Sequence, residues 1–259
     1  MPHIRRLLLL VAGFAAVAVS GPTFAQKAQG YVLEVSGTVT GQVGTGQPVR
    51  VDKGQTLVNN PTITTGPRSY AVLKFEDGTS VLLKENSSFH IQHYTYNPKA
   101  TENSNVVFNL VRGGLRMVTG LVTSRNRDAL KVATPLATMG IRGTDFMAVL
   151  VNPLFVQVVN GVVSLTNSAG TVLFSAGQAG IVSSSATLGG LVPMSQVPAG
   201  VFQFPNFPLT AVPEVIPSGS PVGGTFVSGG AAAVGIAIGA IGVAAVLSAG
   251  NEQSAVTHH

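Results

Sequence analysis

The chain has 259 residues, with 15 Lys and Arg against 10 Asp and Glu, and it contains no cysteine. The lack of thiols excludes disulfides, thiolate metal sites, cysteine nucleophiles and a lipid-modified N-terminal cysteine. The basic residues are scattered rather than striped, and a net charge of +5 gives no basis for a nucleic-acid partner.

At the N-terminus, Arg5 and Arg6 precede an uncharged apolar run from Leu7 to Val19, and Thr23-Phe24-Ala25 ends on a small residue. That layout predicts a secretory signal peptide over residues 1–25, cleaved before Gln26. An uncleaved anchor is the alternative, although 13 apolar residues are few for a membrane span. The expected location is therefore exported and periplasmic. A cleaved chain would carry a net charge of +3.

From Tyr31 to about Ser183, short apolar or alternating runs are broken by turn residues. Tyr31–Val35 is followed by Gly37 and the alternating Thr38-Val39-Thr40. Ser69–Phe75 alternates cleanly, Asp77-Gly78 follows, and Ser80–Lys84 resumes. Asp-Gly between two such runs predicts a hairpin. Asn160-Gly161, between Phe155–Val159 and Val162–Leu165, is read in the same way. Ser168-Ala169-Gly170 predicts a further turn before Thr171–Phe174. No stretch shows a sustained 3.6-residue period, so residues 26–183 are expected to form an all-β domain, a sandwich, barrel or irregular solenoid.

Prolines then interrupt the chain at 193, 198, 205, 208, 213, 217 and 221. Residues 184–228 are expected to form a Pro/Gly/Ser-rich spacer. Extended polyproline geometry would give it a reach on the order of 100 Å. Within it, Phe202, Phe204 and Phe207 are expected to dock on the β domain, with a partner-binding motif as the alternative. Gly229–Ala249 is uncharged and 21 residues long, sufficient for a membrane-crossing helix. Ala231, Gly235 and Gly239 recur every four residues, a small-residue face suited to close helix packing and homo-oligomerisation. A buried Gly/Ala helix in an assembly is the alternative, and residues 250–259 form a tail.

An ordered set of motifs runs through the β region. It begins with Gly37-x-Val39, Gly54-Gln-Thr-Leu57, Ile63-Thr-Thr-Gly66, Leu73-Lys-Phe75-x-Asp77-Gly78-Thr79 and Val81-Leu-Leu83. Leu110-Val-Arg-Gly113-Gly114-Leu115 and Thr119-Gly120 follow, then Thr134-Pro135-x-Ala137-Thr138-x-Gly140-Ile141-Arg142-Gly143-Thr144-x-Phe146. Val158-x-x-Gly161-x-Val163 and Gly177 complete it. This set resembles the FecR domain, an extracytoplasmic module named for a bacterial iron-dicitrate signalling regulator. The resemblance implies a β domain of solenoid character acting in the periplasm. In signalling members it implies a relay from an outer-membrane receptor to a sigma factor. Those members begin with a cytosolic sigma-binding segment, where this chain begins with a predicted signal peptide.

Within Gly140–Thr144, two readings of the arginine stand side by side. Arg142, with Thr144, can clamp a carboxylate or phosphate. Alternatively the glycines permit a tight turn while Arg142 caps carbonyls or pairs with Asp145 or another acid. Asp77, Gly78, Thr79, Gly140, Gly143 and Gly161 are read as structural motif residues. His90 and His93 lie three apart on a strand and point to opposite faces, so no metal site is expected. His258 and His259 offer at most an opportunistic one. Arg112, Arg116, Arg125, Arg127 and Lys131 form the densest basic stretch, read as a solvated loop or a surface for an anionic glycan or lipid headgroup. Glu34 and the pair Glu76-Asp77 are the acids nearest to catalytic candidates. No cofactor is expected. The leading functional expectation is a non-enzymatic envelope protein binding a protein or polymer partner. A signalling component regulating a sigma factor or receptor is the second, and an envelope polysaccharide-acting enzyme the third.

Overall fold

The computed structural model describes residues 27–223. The predicted leader and the apolar segment with Ala231, Gly235 and Gly239 lie outside the described residues. No helix among the described residues is long and apolar enough to cross a membrane. The described residues form fifteen strands. β1 is Gly30–Ser36, β2 Val39–Gln42, β3 Val49–Arg50, β4 Thr56–Leu57 and β5 Thr62–Thr65. β6 is Tyr70–Phe75, β7 Ser80–Leu83, β8 Ser88–Thr95, β9 Asn105–Val118 and β10 Leu130–Ala133. β11 is Thr138–Leu150, β12 Leu154–Asn167, β13 Gly170–Ser175, β14 Ala179–Val182 and β15 Gly190–Leu191. Three short 3₁₀ turns, at Thr101–Asn103, Leu121–Thr123 and Met194–Gln196, complete the secondary structure.

The strands form one continuous hydrogen-bonded network that divides into two limbs. One limb runs β3, β2, β5, β8, the first half of β9, β10, the first half of β11, the second half of β12, then β13. The other runs β4, β1, β6, β7, the second half of β9, the second half of β11, the first half of β12, β14, then β15. The limbs share a core. Phe75 of β6 packs on Phe108 of β9 at 4.8 Å between ring centroids, and Phe108 packs on Phe89 of β8 at 5.1 Å. Such aromatic pairs contribute beyond their buried area.

β9, β11 and β12 pass from one limb to the other, bending near Gly113, Gly143 and Gly161, all at positive φ. This corrects the reading of Asn160-Gly161 as a hairpin turn. β12 is a single strand from Leu154 to Asn167, still paired with β11 on both sides of the bend. Gly161 has φ +83, and a Cβ there would lie 2.4 Å from the Gly143 carbonyl oxygen, so glycine is needed at 161 where the chains cross. Asp77-Gly78 does form the predicted turn, between β6 and β7, with Gly78 at φ +90.

The proline-rich stretch does not extend away as a spacer. Residues 184–222 run back along the β body as a strap. Lys84 Nζ donates to the carbonyls of Gly200 and Val201 at 3.3 and 3.2 Å. Lys74 Nζ reaches Thr210, the Thr56 N–H donates to the Ser220 carbonyl, and the Val222 N–H donates to Thr56. Prolines carry carbonyls without N–H groups, so such a segment is held by donors that the body supplies. Here these are Lys74, Lys84, the Ser80 hydroxyl, which donates to the Thr210 carbonyl, and the Thr56 N–H. The Phe204 ring lies beneath the Lys84 ammonium, 5.4 Å from its centroid, and Phe202 and Phe207 are half-buried. The aromatic residues are therefore part of the strap's own course along the body.

Candidate functional site

Asp77 is fully buried and is the centre of a polar hub. Its carboxylate accepts from the Thr79 hydroxyl at 2.6 Å, the Thr79 N–H at 3.2 Å, the Tyr94 hydroxyl at 3.0 Å and the Val122 N–H at 3.2 Å. Thr79 Oγ1 in turn accepts from the Gly120 N–H at 3.0 Å. The Asp-Gly-Thr motif thus closes the β6–β7 turn and fixes the Leu121–Thr123 turn against it. Burial and the neighbouring carboxylate push the Tyr94 phenol well above its ordinary range. Asp77 has no solvent-facing surface and is engaged on both oxygens, which removes it from catalytic candidacy. Glu76 and Glu34 are paired with Lys27 at 3.0 Å and Lys53 at 2.8 Å.

Lys74 is also fully buried, although its alternation on β6 places it on the face away from the core. Its ammonium donates to the Gly78 carbonyl at 3.1 Å, Ser80 Oγ at 3.1 Å, and the Thr210 carbonyl and hydroxyl at 2.8 and 3.1 Å. Glu214 lies 4.0 Å away and accepts from the Tyr31 hydroxyl. Burial lowers the Lys74 pKa, opposed by Glu214 and Asp77. Burial, with Glu214 as hydrogen-bond partner and neighbouring charge, pushes Tyr31 up to about 12.

The Gly140–Thr144 motif does not converge on one accessible site. Arg142 lies at the surface, its guanidinium 3.3 Å from Asp128, an exposed partner. Thr144 is buried, its N–H donating to Thr119 Oγ1 at 2.8 Å and its carbonyl accepting from the Thr119 N–H at 3.0 Å. The Thr144 hydroxyl itself is buried without a partner among the described residues. Gly140 faces Ser164 of β12, whose hydroxyl donates to the Gly140 carbonyl. Asp145 is taken by Arg116 in a two-pronged contact of 3.0 and 2.8 Å, which raises the Arg116 pKa. The basic stretch is thereby divided: Arg116 pairs with Asp145 and Arg125 with Glu102. His90 contacts Thr62 and His93 contacts Thr95. Among the described residues no His, Asp and Glu cluster could hold a metal ion.

Sequence reasoning did not single out Arg68, Tyr70 and Lys84. With Glu85 and with Gln203 of the strap they line a cleft of about 310 Å³. Arg68 adopts φ +52, uncommon for a residue with a Cβ, and its N–H donates to Glu85 Oε2 at 2.7 Å. No local motif could reveal this cleft, because its two walls are more than a hundred residues apart in the chain. The Gly66-Pro67 turn before Arg68 was the one local signal.

Residues 61–164, from the start of β5 through most of β12, match the family model described as FecR protein. The chain carries a FecR domain. The matched segment holds the Asp77 hub, the Arg116–Asp145 pair and the corner glycines Gly113, Gly143 and Gly161. In the FecR domain of this chain, most of the motif polar groups with fixed geometry therefore serve the fold. Two crystal structures of a candidate anti-sigma factor from Parabacteroides distasonis, at 2.50 and 1.65 Å resolution, are similar to the chain at 15% identity. Their TM-scores are 0.39 and 0.38, and each alignment covers 51% of this chain and 57% of that one. No curated protein matches the chain.

Proposed function

We propose that this chain is a non-enzymatic module of the bacterial cell envelope whose FecR domain binds a protein or polymer partner in a signalling or scaffolding role. The observation that supports this most directly is how the domain uses its polar residues. Asp77, Thr79, Lys74 and the Arg116–Asp145 pair are engaged with one another, with backbone or with the strap, so they organise a surface rather than a reaction centre. Family membership supports a signalling-related role in the envelope. The apolar stretch 229–249 supplies attachment to a membrane or to further copies through Ala231, Gly235 and Gly239.

Affinity capture from envelope extracts with the full chain as bait tests this reading. A dominant regulator or receptor supports signalling, and glycan or surface-layer components support scaffolding. Turnover of peptidoglycan or an acidic glycan by the purified chain, abolished by Glu76→Gln or Glu34→Gln, would overturn it. Deleting residues 229–249 and fractionating cells tests attachment. The full chain is expected with the membranes and the deletion variant in the soluble fraction.

A further inference from the structure

The cleft between the β body and the strap carries charged groups that the fold engages only in part. Its volume of about 310 Å³ falls at the lower end of small-ligand sites. Of its lining side chains, Arg68 and Lys84 are cationic and Glu85 is acidic, leaving one net positive charge. Neither cation forms a salt bridge among the described residues. Lys84 directs two N–H groups at Gly200 and Val201, which leaves a third for a ligand. Burial also lowers the Lys84 pKa. Arg68 is held in a left-handed conformation by the contact from its own N–H to Glu85. Backbone strain of this kind concentrates at ligand clamps. Tyr70 and Gln203 line the same cleft, and a phenol hydroxyl and a side-chain amide can hydrogen-bond to hydroxyl groups.

Resting on the reading of the chain as an envelope binding module, we propose that this cleft binds a carboxylated sugar, a hexuronate residue of an acidic glycan. Arg68 takes the planar carboxylate, and Lys84, Tyr70, Glu85 and Gln203 take the ring hydroxyls. A guanidinium matches a carboxylate in two-pronged geometry. The single net charge suits a monoanion better than a dianionic phosphate. Because Gln203 and the carbonyls on Lys84 belong to the strap, the bound sugar bridges body and strap.

Calorimetric titration of the full chain with sodium glucuronate, glucose and inorganic phosphate tests this, alongside hydrogen exchange over residues 200–222. Glucuronate is expected to bind at least tenfold more tightly than glucose or phosphate and to slow exchange in the strap. Arg68→Gly, which suits the φ of +52 and keeps the fold, is expected to weaken glucuronate at least tenfold without lowering Tm. Arg68→Lys is expected to recover only part of the loss. Equal binding of phosphate, undiminished binding in Arg68→Gly, or no binding of glucuronate by a folded chain overturns the proposal. Those results would leave partner capture from envelope extracts intact. Chemical conversion of glucuronate-containing glycan would instead overturn the non-enzymatic reading.

Discussion

Lys74 Nζ lies 2.8 Å from the carbonyl oxygen of Thr210, a residue 136 positions further along the chain. A buried ammonium on β6 thereby fixes the proline-rich strap across the face of a sheet limb that alternation alone would leave in water. Methionine at this position keeps the stem and removes the donors. Lys74→Met leaves the Gly78 carbonyl without this donor and weakens the hold on Thr210, at a cost of roughly 1–3 kcal/mol. Limited proteolysis is expected to cut within residues 200–222 of the variant well before the β body, while the wild-type strap resists.

Tyr31 and Glu214 form a second clasp on the strap, and its pH dependence is specific. The Tyr31 pKa is about 12 in the folded chain against 10.0 for a free phenol, through burial and then Glu214. Above pH 10 the unfolded chain loses this proton first, so the contribution is complete below pH 10 and is lost as pH rises to about 12. The stability difference between wild type and Tyr31→Phe should be flat from pH 7 to 10 and shrink above it. Urea unfolding at stepped pH measures this, and a constant difference to pH 12 would refute it.

A corner glycine and a turn glycine of the same φ are not equivalent. Gly161 and Gly177 share a φ near +82, but a Cβ at Gly161 meets the Gly143 carbonyl at 2.4 Å and one at Gly177 meets nothing within 4 Å. Gly177→Ala is expected to cost about 1–2 kcal/mol, the backbone penalty alone. Gly161→Ala adds a steric clash and is expected to cost on the order of 3 kcal/mol or more. Chemical denaturation midpoints of the two variants provide the comparison.

Two arginines of the FecR motif region should separate cleanly. Arg142 pairs at the surface with an Asp128 that is 74% exposed, so Arg142→Ala is expected to cost about 0.2–1 kcal/mol. Arg116 makes a two-pronged contact with the less exposed Asp145 between β9 and β11, and Arg116→Ala leaves that carboxylate unpaired. A cost of about 1.5–3 kcal/mol is expected there, read from thermal unfolding. Equal effects would show that the difference in burial between the two pairs is without energetic consequence.

The all-β character, the β6–β7 turn and the FecR resemblance are legible in the sequence because each rests on local chemistry. Alternation over Ser69–Phe75, Gly at a position of positive φ and a run of motif residues need no knowledge of distant neighbours. Asn160-Gly161 shows where local reading stops. The same dipeptide signal serves a hairpin or a bend within one strand, and only the pairing of β12 with β11 on both sides of Gly161 distinguishes them. The burial of Lys74, the course of the strap and the cleft between Arg68 and Gln203 were decided by tertiary structure alone. Each joins residues more than a hundred positions apart, and a proline-rich segment whose N–H groups are missing takes its path from donors elsewhere in the fold.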